Sequence, residues 1–394
     1  MNEWKIYKLS EIGTIIGGAT PSTSNPHYYG GQIPWITPKD LSTLNGRFIE
    51  KGERNITEKG LSSCSAQLLP QGSILFTSRA PIGYVAIAKN PITTNQGFKS
   101  IVPNEKVNNI FLYYLMVYNK SNIEAMGSGT TFKEVSGSTM KKVEIKIPNI
   151  DVQKRIASIL ASLDDKIELN RRINDNLEEQ AKALFKSWFV DNNGEKWRKG
   201  IVSDFYDISI GKTPPRKESQ WFTDSENGIV WASISDMGSC NVFLGNSSEY
   251  LTKEAVRKFK VCVVPENTIL LSFKLTIGRV AIADKEMATN EAIAHFIAPN
   301  NAIEYTYLAL KNYEFSSLGS TSSIATAINS KIIKSMPWMM PDEDTLNLFH
   351  QIVLPVFERM RNNCQEIICL SSLRDTLLPK LMSGEISVEE VSLD

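Results

Sequence analysis

Three local patterns in this chain carry residue types that chemistry uses, and each breaks where that chemistry would need it. Gly211-Lys212-Thr213 matches the end of a phosphate-cradling loop, in which backbone amides and a lysine hold phosphate oxygens. Such a loop also needs a glycine where Tyr206 stands, and a helix start where Pro214 and Pro215 follow. Asn25-Pro26-His27-Tyr28 differs by one residue from the Asn-Pro-Pro-Tyr of adenine methyltransferases; with no glycine-rich methyl-donor signature beside it, it reads as a turn. Glu144-Ile145-Lys146 has the Glu-x-Lys spacing of metal-dependent nucleases but lacks a Pro-Asp partner a short distance upstream. His27, His295 and His350 are isolated, so neither a histidine-based metal site nor a Ser-His pair can be assembled. Cys64, Cys240, Cys262, Cys364 and Cys369 show no Cys-x-x-Cys spacing and read as reduced thiols. No catalytic residue and no metal site is expected, which leaves binding as the work of the chain.

The elements that would position binding residues come from an internal repeat. Gly17-Gly18-Ala19-Thr20-Pro21-Ser22 recurs as Ile210-Gly211-Lys212-Thr213-Pro214-Pro215, an offset of 193. Ile33-Pro34-Trp35-Ile36 meets Ile229-Val230-Trp231-Ala232 at offset 196, and the long run from Ile74 to Ala88 meets Ile269 to Ala283 at 195. Thr94-Asn95 falls on Thr289-Asn290, Gly127-Ser128 on Gly319-Ser320 and Pro148 on Pro341. Offsets held this closely over so many matches make the chain a tandem duplication. Each copy begins with short β-rich runs between Gly/Pro/Asn turns and a short helix, at Ile110–Tyr118 and at Glu304–Lys311, which reads as an α/β (α+β) domain.

Each copy ends in a long helix. Val152 to Val190 contains no proline or glycine, and a seam of period 3.5 runs Ile156, Leu160, Leu163, Ile167, Asn170, Asn174, Leu177, Ala181, Leu184, Trp188. Its counterpart is Phe349, Val353, Val356, Met360, Asn363, Ile367, Leu370, Arg374, Leu377, Leu381. Pro355 and Pro379 should kink the second helix or confine it to about Val356–Leu378. Asn170 and Asn363 occupy equivalent positions, and the expectation is an antiparallel coiled coil in which these two meet and set the register. The segments are then a first domain at 1–150, a spacer helix at 151–196, a second domain at 197–341, and a C-terminal helix and tail at 342–394.

Charge is uneven although the chain is neutral overall: the four segments carry +6, −1, +1 and −6. The basic first segment suits a phosphate-bearing partner, whose attraction weakens with salt. No run approaches the 18 or so apolar residues of a membrane span, and Met1-Asn2-Glu3-Trp4-Lys5 lacks the pattern of a secretory signal, so a cytoplasmic protein is expected.

The order domain, helix, related domain, related helix resembles the DNA-specificity subunits of type I restriction-modification systems. The stretch Ile156-Ala157-Ser158-Ile159-Leu160 through Leu163–Asn170 is similar to the family's central helix, and Leu177–Phe189 continues it. Leu377–Ile386 resembles its terminal signature; the Gly-x-Thr-Pro turns and the Ile-Gly motifs at Gly83 and Gly278 resemble its target-recognition domains. The resemblance implies that each domain reads one half of a gapped double-stranded DNA target. It also implies two adenine-N6 methyltransferase subunits and two restriction-motor subunits as partners, on which AdoMet, ATP and Mg²⁺ would reside, leaving none in this chain. A helix over 152–190 spans about 58 Å at 1.5 Å per residue, enough to serve two readers about one DNA turn, roughly 34–36 Å, apart.

Duplicated readers should use matched turns. The candidate DNA-binding residues are therefore Thr20, Ser22 and Thr23 against Lys212, Thr213, Arg216 and Lys217, then Thr37, Lys39 and Asp40 against Ser233, Ser235 and Asp236. Ser78 and Arg79 face Lys274 and Arg279, and Ser128, Thr130, Thr131 and Lys133 face Thr321, Ser322 and Ser323. Arg and Lys suit guanine or phosphate, and Ser and Thr suit either. Helix pairing is assigned to Ile156, Leu160, Leu163, Ile167, Asn170, Leu177 and Leu184 with Val356, Met360, Asn363, Ile367, Leu370 and Leu377. Two other readings stay open: a fused DNA methyltransferase or nuclease, and a coiled-coil scaffold that never touches DNA.

Overall fold

A computed structural model describes residues 4–129, 133–192, 197–224, 227–318 and 328–391. It is a mixed α/β structure of two tandem domains with two long helices, and it divides into two compact units, residues 1–168 with 369–394 and residues 169–368. Both cuts fall inside the long helices, unlike the segment limits drawn from sequence. Each helix buries one half of its apolar row in each unit's core.

In the first unit a five-stranded sheet has the order Gly13–Gly17, Lys99–Pro103, Ile74–Ser78, Ile82–Ala88, Phe48–Ile49, antiparallel except for the last, parallel pair. Its middle strand, Ile-Leu-Phe-Thr-Ser, is buried at every position because both faces are covered. Alternate residues point to opposite faces: Ile74 and Phe76 join the core with Phe111, Leu115, Ile156, Leu160 and Leu381, while Leu75 joins Ile36, Leu41, Ala86 and Phe98. The second unit repeats this arrangement with Asp207–Ile210, Ile293–Ile297, Ile269–Ser272, Val280–Ala283 and Phe243–Leu244. Again Ile269 and Leu271 face the helices and Leu270 the opposite core. A three-stranded sheet holds the tryptophan strand Tyr29–Ile36, and a second five-stranded sheet holds its counterpart Ile229–Ala232.

The central helix runs Ile150–Phe185 and finishes in a π-helical turn, Lys186–Val190. There Phe189 lies 4.8 Å from the ring of Phe349 and 4.9 Å from that of Tyr305. The C-terminal helix runs Glu343–Ser383 without a break, so Pro355 and Pro379 do not confine it as expected from sequence. Each proline sits on the exposed face, as do Gln351 and Asp375, whose carbonyls lose a helical donor, and water can take the place of the missing amide.

Within the second unit the two helical stretches run antiparallel, but Asn170 and Asn363 do not meet. Asn363 Nδ2 donates to Asn174 Oδ1 at 2.7 Å, and Asn170 Nδ2 donates to Glu366 Oε2 at 2.8 Å. The pairing is one helical turn away from the sequence expectation, because an antiparallel level is set by tertiary packing, which a repeat offset does not encode. Ile156, Leu160, Leu163, Ile167, Met360 and Asn363 are buried, while Leu177, Leu184, Val356, Ile367, Leu370 and Leu377 are half-buried.

Buried polar groups fasten each domain to its helical stretch. In the first unit Asp164 accepts from Tyr114 Oη at 2.5 Å and from Arg374 Nη1 at 2.7 Å, and Arg47, 3% exposed, lies against Asp164, Asp165 and Glu168. Burial and the Asp164 carboxylate push the Tyr114 phenol well above its ordinary range, so it stays a donor. In the second unit Tyr307, which matches Tyr114 in the repeat, donates to Glu178 at 2.8 Å.

Candidate nucleic-acid interface

The Gly-Thr-Pro turn in each copy is held by the same contacts. Ala19 N donates to Thr94 O at 3.0 Å, and Lys212 N to Thr289 O at 2.9 Å. Trp35 Nε1 donates to Ala19 O at 3.0 Å, and Trp231 Nε1 to Lys212 O at 3.1 Å, so both buried tryptophans act as struts. A Cβ on Gly18 would lie 2.0 Å from Asn95 O, and one on Gly211 2.1 Å from Asn290 O; only glycine permits this approach. The turn is thereby pinned to the loop that follows Asn95 or Asn290. Thr20 then hydrogen-bonds Gln96, and Thr213 hydrogen-bonds Glu291, at matched exposed positions.

A hairpin turn stands beside this loop. Gly83 and Gly278 adopt φ of +95° and +86°, and a hydroxyl one strand back receives the next amide in both copies, Tyr84 N to Thr77 Oγ1 at 2.8 Å and Arg279 N to Ser272 Oγ at 3.0 Å.

The second unit gathers Thr213, Arg216 and Lys274 around Glu291. Burial opposes the charge of Glu291, but the Thr213 hydroxyl, its own backbone amide, Lys274 and Arg216 together hold its carboxyl below the usual range. Arg216 is aimed by stacking, 4.5 Å from the Trp231 ring centre and 4.7 Å from that of Phe222, and by a 2.6 Å ion pair with Glu249. Lys217 and Ser235 are exposed, and Lys212 Nζ donates to Phe259 O at 2.6 Å. In the first unit Arg79 and Lys99 share Glu134, at 3.5 and 3.3 Å, beside exposed Lys133 and Ser128. Ser22 and Thr23 are exposed, with Ser22 Oγ 2.7 Å from Ser24 Oγ.

Other candidates are turned away from solvent or committed elsewhere. Ser78 is fully buried and donates to Gly97 O at 3.1 Å, because it belongs to the central strand covered on both faces. Thr37 and Asp40, like Ser233 and Asp236, cap short helices: each hydroxyl donates to its aspartate at 2.6 Å. The second oxygen of Asp40 takes Glu53 N at 2.7 Å, and that of Asp236 takes Ser248 N at 3.3 Å. Arg279 points back to Ile234 O at 2.6 Å, and Lys39 pairs with Glu53 at 2.8 Å. Thr130, Thr131, Thr321, Ser322 and Ser323 lie outside the described residues. Gln96, Glu291, Lys99 and Glu134 stand at this surface without being among the candidates drawn from the sequence. The first two were within reach, since they directly follow the matched Asn95 and Asn290.

Among the described residues, no helix is long and apolar enough to cross a membrane. Residues 1–179 and 194–351 match the family model of the type I restriction modification DNA specificity domain. The chain is 36% identical over 429 residues to the type I restriction enzyme MjaIX specificity subunit of Methanocaldococcus jannaschii, covering 99% of this chain and 95% of that one. It is 24% identical over 472 residues to the HindI specificity subunit of Haemophilus influenzae, covering 98% and 100%. Its fold is similar to the crystal structure of a type I restriction-modification S subunit from M. genitalium, with a TM-score of 0.54, 15% identity and 96% of each chain covered. Two matched domains spanning nearly the whole length, each followed by a long helix, place this chain in the family of type I restriction-modification DNA specificity subunits.

Proposed function

We propose that this chain reads a bipartite, gapped double-stranded DNA target, one half with each α/β domain, and positions adenine-N6 methyltransferase and restriction subunits on it. Two copies of each partner assemble with it in the cytoplasm. AdoMet, ATP and Mg²⁺ are carried by those partners, and this chain contributes recognition without a catalytic group. The observation that supports the reading best is a shared turn-and-loop scaffold with different exposed side chains at matched positions. Gln96 stands where the other copy has Glu291, and Arg79 where it has Lys274. A repeated framework with unlike contact residues suits two unlike half-sites.

The test is selection of duplexes from a randomised pool by the full chain, alone and with an adenine methyltransferase from the same cell. Two short conserved blocks separated by a fixed unconserved gap are expected. Exchange of residues 1–150 for those of a relative should replace one block only. An unsplit motif, or none, would contradict the proposal.

A further inference from the structure

We infer that Gln96 and Glu291 are the matched base-reading side chains of the two domains, Gln96 reading an adenine in one half-site and Glu291 a cytosine in the other. This rests on the DNA-reading function proposed above and adds residues and bases to it. Both side chains are exposed at the same place in the repeat, directly after the asparagine whose carbonyl the glycine of the Gly-Thr-Pro turn approaches. Both are aimed by the hydroxyl of that turn, Thr20 for Gln96 and Thr213 for Glu291. A strutted backbone and an oriented terminal group are what a base reader needs, since side-chain freedom is then lost on folding and not on binding.

The terminal groups differ in a way that major-groove edges can tell apart. An amide both donates and accepts, which matches N7 and N6 of adenine, whereas a carboxylate only accepts, which matches the N4 amino group of cytosine. Glu291 remains a carboxylate at neutral pH, because Thr213, Lys274 and Arg216 favour its charged form. A bare carboxylate on a phosphate-binding surface is repulsive unless it meets a base donor. Lys274 and Arg216 beside it offset that repulsion and are placed to take the flanking phosphates.

The test repeats the duplex selection with the full chain carrying Glu291→Gln, Gln96→Glu or Thr213→Val. Glu291→Gln should convert one position of one half-site from cytosine to adenine with about ten-fold or greater discrimination, leaving the other half-site unchanged. Gln96→Glu should make the reciprocal change in the other half. Thr213→Val keeps the reader but removes its aim, so it should relax preference at the cytosine position alone, and it serves if Glu291→Gln does not fold. An unaltered motif, or uniform weakening across all positions with an unchanged melting temperature, would overturn the assignment by making these residues props of the turn. A wild-type chain that selects no motif would instead overturn the DNA-reading function itself.

Discussion

The buried contact between Asn174 and Asn363 predicts a specific pattern in a double-mutant cycle. Both residues are at most 2% exposed, and Asn363 Nδ2 donates to Asn174 Oδ1 at 2.7 Å. Asn174 Nδ2 also reaches Met360 O and Cys364 Sγ, each at 3.3 Å. Asn363→Leu leaves the Asn174 oxygen buried without its donor, and Asn174→Leu strands the Asn363 amide, so each should cost about 1–3 kcal/mol. Replacing both removes the polar groups together and adds apolar burial at the seam. The double variant should then lie within about 1 kcal/mol of the parent, giving an interaction energy of at least about 1 kcal/mol. Two compact units need not unfold in one step. The assay is therefore hydrogen exchange of peptides within 169–185 and 343–368 across a denaturant series. The double variant should also exchange less uniformly, because the residues that set the register are gone. Single-variant losses that simply add in the double variant would refute the reasoning.

Asp164→Ala should destabilise the first unit by about 1–3 kcal/mol, because it strands the buried Tyr114 hydroxyl and removes one carboxylate from Arg374 and Arg47, which keep Asp375 and Asp165 with Glu168; protection in peptides of 109–118 and 369–383 would fall, and unchanged protection there would count against the clamp. His295 is fully buried between Ser209 and Thr289, and burial lowers its pKa from 6.5 to about 4. The unfolded chain then binds the extra proton between those values, so stability should fall by up to about 3 kcal/mol as pH drops from about 6.5 towards 4. His295→Gln should lack that slope, and parallel pH profiles for parent and variant would exclude the effect. Arg79→Ala should weaken DNA binding while the fold survives, since its ion pair with Glu134, at 3.5 Å between groups 36% and 37% exposed, contributes under about 1 kcal/mol; unchanged affinity with an intact fold removes Arg79 from the interface.

Much of the architecture was legible because its signals are local. The run from Ile74 to Ala88 and its repeat read as β-rich, and the structure folds each into an antiparallel pair within the main sheet. The seam period marked both helices, and the Gly-Thr-Pro turns marked the loops they support. What escaped depended on packing between distant segments. Ser78 looks polar and accessible beside Arg79, yet its strand is covered on both faces. Asp40 and Asp236 look like polar recognition residues, yet each completes a capping box three residues from its partner, a pattern visible in Thr37-x-x-Asp40 and Ser233-x-x-Asp236. The clamp of Arg47, Tyr114, Asp164 and Arg374 joins four distant parts of the chain, and no spacing announces it.

The most direct test of the central claim is methylation-site sequencing of DNA from cells that express this chain with its methyltransferase. A bipartite, gapped adenine motif is expected, which disappears without this chain and loses one half when either α/β domain is exchanged. Methylation that ignores the chain, or a continuous motif that responds to only one domain, would contradict it.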